Sequence, residues 1–216
     1  MNVVVTCGPS YEPIDGARRI TNFSTGRLGI SLSNALTERG WRVCCLKGEM
    51  ASCPDPVRAQ RVESFSTNQD LAERLGALAR AKTVDAVLHA AALCDFRVER
   101  ALDEAGQVMS SPKFTTTGGR LRLELAPTIK VLPLLREWFP SAILVGWKYE
   151  LAGTRAEAIG RAFGQIQACH TDACVLNGAA YGAGFGVCLP EGKMEELPDA
   201  PALAGALIRI LEKKRP

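Results

Sequence analysis

Two histidines, His89 and His170, and eight cysteines without a single C-x-x-C pair leave the chain little with which to hold a zinc ion. Cys7, Cys44, Cys45, Cys53, Cys94, Cys169, Cys174 and Cys188 fall mostly in apolar strand-like runs, where a thiol acts as a small hydrophobe. A reducing compartment keeps such thiols free. Aromatic residues make up only 6% of the chain and the formal net charge is +3, too mild to argue for nucleic acid. No apolar stretch approaches the roughly 18 residues of a membrane span. Met1 runs directly into Val3-Val4-Val5 with no charged leader or cleavage site, and the expectation is a cytoplasmic protein. Lys213-Lys214-Arg215 reads as a solvated helix end.

Familiar nucleotide and hydrolase signatures are missing as well. A dinucleotide-binding G-x-G-x-x-G belongs at the turn after the first strand; that turn here reads only Cys7-Gly8-Pro9. None of Tyr11, Tyr149 and Tyr181 has lysine four residues later, which disfavours a short-chain NAD(P)-dependent oxidoreductase. There is no Gly-Lys-Ser/Thr phosphate loop and no G-x-S-x-G nucleophile elbow. What remains is a nucleotide-using enzyme with an unusual phosphate loop.

The 216 residues, 47% hydrophobic and 23% charged, suffice for one large α/β domain or two small ones. Asn2 to Cys7 reads as a buried strand, followed by a helix ending at Gly40 and a strand from Trp41 to Leu46. Thr67 and Asp70 are spaced as a capping box ahead of the next helix, and Ala86 to Ala92 is a third strand. Strand, helix, strand, helix, strand predicts a parallel sheet with right-handed crossovers and a ligand outside the strands' carboxyl ends. Arg97 to Pro112 breaks the alternation as a polar excursion. Gly118-Gly119 between Lys113–Thr116 and Leu121–Leu125 then signals a hairpin. A helix through Ile129, Leu132 and Leu135 follows, then a strand from Ala142 to Gly146 and a helix from Arg155 to Ala168. The remainder is a strand from Ala173 to Leu176, a tight loop marked by Gly182, Gly184 and Gly186, a short strand and a last helix. The expectation is one Rossmann-like, doubly wound, mostly parallel domain over 1–216, with an inserted hairpin dimerisation arm at about 97–126.

Arg18 to Gly29 can be a site on local grounds alone. Ser24 and Thr25 are good N-cap residues, and Leu28, Leu32, Ala35 and Leu36 share one helical face after them. Gly26 and Gly29 leave room for a bulky group near the backbone, and Arg18, Arg19 and Arg27 add positive charge. A helix start with unpaired amides suits an anion, phosphate above all.

Gly8-Pro9 with Pro13-Ile14-Asp15, then Arg19 and Asn22-Phe23-Ser24-Thr25-Gly26-Arg27-Leu28-Gly29, resembles the opening of phosphopantothenoylcysteine synthetases (phosphopantothenate–cysteine ligases). Ala90-Ala91-Ala92-Leu93-Cys94-Asp95-Phe96 resembles their Ala-Ala-x-x-Asp-Tyr/Phe segment. Lys113 with Thr117-Gly118-Gly119 is similar to their lysine and hairpin, and Gly146-Trp147-Lys148-Tyr149-Glu150 and Val175-Leu176-Asn177 match later landmarks more loosely.

The resemblance implies a free-standing ligase without a flavin decarboxylase half. It implies that 4′-phosphopantothenate is joined to cysteine through an acyl-nucleotidylate, with CTP or ATP as co-substrate and Mg²⁺ present; the hairpin arm predicts a homodimer with sites shared across the interface. By the same resemblance Gly8, Ser24, Gly26 and Gly29 cradle the triphosphate, Trp147 and Asn177 lie by the base, and Asn22 holds the substrate carboxylate and the acyl intermediate. Ala91, Ala92 and Asp95 receive phosphopantothenate, and Lys113 stabilises charge during transfer. Two features depart from the bacterial pattern: Asn177-Gly178-Ala179-Ala180 stands for Asn-Asp-Val-Ser, and Arg161, Gln165 and Gln167 stand where lysines are usual. They leave CTP against ATP open, and with it a relative that binds nucleotide without turnover.

Overall fold

Val3-Val4-Val5 and Ala86-Val87-Leu88 are apolar at every position, which suits a strand covered on both faces. The computed structural model, which describes residues 1–81 and 83–213, puts both runs in the middle of an eight-stranded sheet. Lys214 and Arg215 of the expected helix end lie outside the described residues.

In chain order the strands are β1 (Asn2–Cys7), β2 (Tyr11–Pro13), β3 (Arg19–Thr21), β4 (Arg42–Gly48), β5 (Arg61–Phe65), β6 (Ala86–His89), β7 (Phe96–Leu102), β8 (Arg122–Pro127), β9 (Ile143–Tyr149), β10 (Ala173–Gly178), β11 (Gly182–Leu189) and β12 (Lys193–Leu197). The helices are α1 (Arg27–Glu38), α2 (Asn68–Ala81), the single turn α3 (Leu135–Trp138), α4 (Arg155–Cys169) and α5 (Ala200–Lys213). The sheet order is β12-β11-β10-β9-β6-β1-β4-β5. Neighbours from β5 across to β10 run parallel, while β11 pairs antiparallel with β10 and β12.

Side chains alternate across the sheet, so Val3 and Val5 enter one layer and Val4 the other. On the first face they meet Leu32 and Leu36 of α1 and Leu203 and Leu207 of α5. On the second, Val4 and Val87 pack with Leu71 and Leu75 of α2 and with Leu135, and α4 adds Ala158, Ala162 and Ile166 over β10. This is the doubly wound arrangement that the alternation predicts.

Several elements differ from the sequence reading. Arg122–Pro127 pairs with Phe96–Leu102, not with Lys113–Thr116 across Gly118-Gly119. The excursion expected at Arg97 is therefore strand, alternating apolar and polar residues, with Arg100 ion-paired to Glu124. Phe114 is buried and its backbone is held by Asp15 and Arg18, which leaves Lys113–Thr116 unavailable as a strand; Thr116–Gly118 is a 3-10 turn. The helix expected through Ile129 and Leu135 shrinks to a 3-10 turn at Leu132–Leu134 plus α3, because Pro133 has no amide to donate and Pro140 ends the segment. The edge strands β5 and β12 escape the sequence reading: their outward residues, among them Arg61, Val62, Glu195 and Glu196, are exposed and break the apolar pattern. Gly182, Gly184 and Gly186 lie within β11 instead of in a loop.

Helix α1 lies unusually low on β1. A Cβ at Gly29 would overlap the Cys7 side chain and stand 3.4 Å from the Thr6 carbonyl. Gly29→Ala is expected to push α1 off β1 and cost about 1–3 kcal/mol of stability. Urea unfolding measures this directly, and an unchanged midpoint would show that the helix yields freely.

Candidate active site

The carboxyl ends of β10, β9, β6, β1 and β4 form one rim, and three chain segments close on it. Gly8 follows β1 with φ +77°, and Gly26 precedes α1 with φ +79°. A Cβ at Gly8 would stand 2.7 Å from the Ala51 Cβ, and one at Gly26 3.0 Å from the same atom and 3.3 Å from the Gly8 Cα. Only glycine combines this backbone with this proximity.

Gly26, not Ser24 or Thr25, is thus the N-cap of α1, so the N-cap residue itself offers no side chain to the helix. Close packing against Gly8 and Ala51 decides this over cap preference. Thr25 Oγ1 accepts the Arg27 amide at 3.3 Å, and the Thr25 carbonyl accepts the Cys53 amide at 3.0 Å. The amides of Leu28 and Gly29 have no acceptor among the described residues. That is the donor arrangement an anion fits. The room expected at Gly29 for a ligand is filled by Cys7, so only its amide is open to one. Ser24 is half-buried beside this helix start, and Arg27 is exposed.

Asn22 is exposed at the end of the β2–β3 hairpin, and its Nδ2 donates to the Ala92 carbonyl at 2.9 Å. The same carbonyl accepts the Ser10 amide at 3.1 Å, and the Ala92 amide donates to the Gly8 carbonyl at 3.0 Å. Asn22, Gly8 and Ala92 are therefore brought together, although 70 residues separate the first and last. Beneath them sits Asn68, fully buried. Its Oδ1 accepts the Ser10 hydroxyl at 2.7 Å, and its Nδ2 donates to the carbonyls of Cys94 at 2.8 Å and Ile129 at 3.1 Å. Sequence reasoning missed Asn68, whose one sequence signal is a polar side chain opening an otherwise apolar helix face.

Asp95 is exposed and ion-paired with Lys130, another residue the sequence reading passed over. Both line a pocket of about 620 Å³ together with Ala91, Trp147, Lys148 and Arg161. Lys148 and Arg161 share Glu150, at 3.7 and 2.9 Å. Deeper in, His89 Nδ1 is 2.8 Å from Thr6 Oγ1, which accepts the Ala91 amide at 3.2 Å. Burial pulls the His89 pKa from 6.5 to about 4, so the imidazole is neutral and structural.

Trp147 and Asn177 stand at the ends of adjacent strands, in register with Val175 and Tyr149 respectively. Trp147 packs against the core layer shared by α1 and α5, and its buried indole N–H has no acceptor among the described residues. The Asn177 carbonyl accepts the Glu150 amide at 2.9 Å. Lys113 is exposed beside the turn of the β2–β3 hairpin, at the opposite end of that ribbon from Asn22. There the Asp15 carboxyl is held well below the usual range, chiefly by the Phe114 amide and then by those of Ala17 and Arg18 and the Arg18 side chain.

Residues 1–193 match the family model of the DNA/pantothenate metabolism flavoprotein C-terminal domain. Curated relatives include the coenzyme A biosynthesis bifunctional protein CoaBC of Thermococcus kodakarensis, 34% identical over 81% of this chain and 40% of that protein. The CoaBC of Bacillus subtilis is 30% identical over 91% of this chain and 47% of the relative. The chain thus spans less than half the length of these curated relatives. Among solved structures, the DNA/pantothenate metabolism flavoprotein from Streptococcus pneumoniae superposes with a TM-score of 0.86 at 22% identity, over all of both chains. A Cab2 mutant in complex with phosphopantothenate-cysteine gives 0.76 at 18% identity, over 99% of this chain and 87% of that one. At these identities the structural likeness concerns the fold.

Between pH 4 and 6.5 the unfolded chain protonates His89 and the folded chain does not, so stability is lost as pH falls through that window. The slope attributable to this residue is at most about 1.4 kcal/mol per pH unit. Urea unfolding across the window is expected to show that slope in the wild type and its loss in His89→Gln. Equal slopes would assign the effect elsewhere.

Proposed function

The chain belongs to the DNA/pantothenate metabolism flavoprotein C-terminal domain family, and from that premise we propose that it is a ligase joining 4′-phosphopantothenate to cysteine through an acyl-nucleotidylate. The observation that carries this reading is the Asn22–Ala92 hydrogen bond, which joins the loop before the open amides of α1 to the segment after β6. This supports a reading in which donors for a polyphosphate and an amide for the acyl group belong to one site. The Cab2 neighbour's complex with phosphopantothenate-cysteine supports the choice of product.

In the first step the substrate carboxylate attacks the α-phosphate of CTP or ATP and pyrophosphate leaves. The cysteine amine then attacks the acyl carbon, loses its proton, and the nucleoside monophosphate departs. A carboxylate is a poor electrophile, so the work of the protein is to hold negative charge while a better leaving group is installed. In this reading the backbone at Gly8, Gly26 and Gly29, with Ser24, receives the triphosphate, and Trp147 and Asn177 flank the base. The orphan indole N–H of Trp147 suits an acceptor on the nucleotide. Asn22 holds the substrate carboxylate and the acyl intermediate, since an amide donates and accepts where a carboxylate only accepts. Ala91, Ala92 and Asp95 contact phosphopantothenate, and Lys113 stabilises the charge in transfer.

The described residues contain no cluster of three histidine, cysteine or carboxylate groups fit to hold a metal. Mg²⁺ would be brought by the nucleotide and would supply charge neutralisation at its phosphates. The ribbon of β7 and β8 supplies the dimer contact in this reading. Phe96 and Val98 lie on one face, Leu125 stands opposite Val98, and Phe96 and Leu125 are half exposed, at 53% and 48%.

Incubation with phosphopantothenate, cysteine, Mg²⁺ and either CTP or ATP is expected to release pyrophosphate only when phosphopantothenate is present. Asn22→Asp should lower turnover at least tenfold while nucleotide affinity changes little. Nucleotide binding without release would point to a non-catalytic relative, and equal loss of both functions would remove the role assigned to Asn22. Light scattering is expected to show a dimer that Leu125→Glu dissociates with loss of activity; a fully active monomer would refute the shared-site arrangement.

A further inference from the structure

We propose that Asp15 is the positioning residue for Lys113, a reading that rests on the charge-stabilising role given to that lysine above. The Asp15 side chain is withdrawn from solvent, and its two oxygens accept five hydrogen bonds. Oδ1 takes the amides of Ala17 and Arg18, each at 2.8 Å, and so shapes the turn between β2 and β3. Oδ2 takes the Phe114 amide at 3.1 Å together with Arg18 Nε at 3.1 Å and Nη2 at 2.6 Å.

The same guanidinium donates to the Phe114 carbonyl at 2.6 Å, and the Gly16 amide donates to the Pro112 carbonyl at 2.8 Å. Backbone groups on both sides of Lys113 are thus gripped by one turn lying 99 residues earlier, while the lysine itself is exposed. Only an acceptor with two oxygens and no hydrogen serves all five donors at once; asparagine would turn an N–H group toward one of them. Around this point the chain is otherwise exposed from Gly106 through Val108 and from Ser110 through Lys113. The clamp is therefore what gives Lys113 a fixed place. The hairpin that carries it ends at Asn22, so one short ribbon sets the spacing between lysine and amide. A substrate lying along that ribbon would span it.

The test combines kinetics with proteolysis on the full chain. Asp15→Ala and Lys113→Ala are each expected to lower kcat by tenfold or more with nucleotide affinity within twofold, and the double variant is expected to be no slower than Lys113→Ala. Tryptic cleavage after Lys113 should accelerate at least tenfold in Asp15→Ala. Asp15→Asn keeps one oxygen for the Ala17 and Arg18 amides; it is the variant to use if Asp15→Ala does not fold, and the same results are expected of it. A slow Lys113→Ala beside a fully active Asp15→Ala, or losses that multiply in the double variant, would overturn the inference and leave the ligase reading intact. Unchanged cleavage after Lys113 would overturn it as well. A wild type without turnover would overturn the ligase reading, and this inference with it.

Discussion

One buried amide carries the geometry of the rim. Asn68 has no solvent around it, so each of its polar atoms must find a protein partner. It finds them in the loop after β1, the segment after β6 and the return from the β7–β8 ribbon. Replacing it by an apolar residue would strand the Cys94 and Ile129 carbonyls and the Ser10 hydroxyl together. Because the ribbon departs just after Cys94 and returns just before Ile129, a single side chain fixes both of its roots. Thr128 and Asp95, hydrogen-bonded through their backbones, repeat the tie one step outward.

The two faces of the sheet divide the chemistry. On the α1 and α5 face lie the open amides of the helix start and the unpartnered indole of Trp147. On the opposite face Asp95, Lys130, Lys148 and Arg161 line a pocket in which each cation already has a carboxylate. Of these pairs Lys130–Asp95 is exposed on both sides and contributes little stability, while Glu150 is largely withdrawn from solvent. The Asn22–Ala92 bond lies where the two faces meet at the rim. This division keeps the open amides of the helix start apart from the charged pocket.

Much of the architecture was legible because it depends on local pattern. Wholly apolar runs announced β1, β6, β9 and β10, and the spacing of Leu32 and Leu36 announced the buried side of α1. What misled was also local. Gly118-Gly119 looks like a hairpin turn, yet Phe114 finds burial and Asp15 captures its amide, and Arg122–Pro127 pairs instead with Phe96–Leu102, 20 to 31 residues upstream. Ser24 and Thr25 look like caps, yet Ala51 presses so close that glycine must take the position. Pro133 splits a helix whose apolar spacing is otherwise sound.

The sequence by itself determined the layer order, the parallel core and the glycine-bounded start of α1, because periodicity and turn chemistry act over a few residues. Only the tertiary structure decided which residues share the rim. Asn22 reaches Ala92, Asn68 reaches Ile129 and Asp15 reaches Phe114 across separations of 61 to 99 residues. Asn22 and Asn68 have little local reason for their place and Asp15 serves its own turn as well, but each is held by a backbone partner that becomes a neighbour only when the sheet has formed. Burial then enforces the pairing where it occurs, since a withdrawn donor or acceptor left alone is what folding can least tolerate.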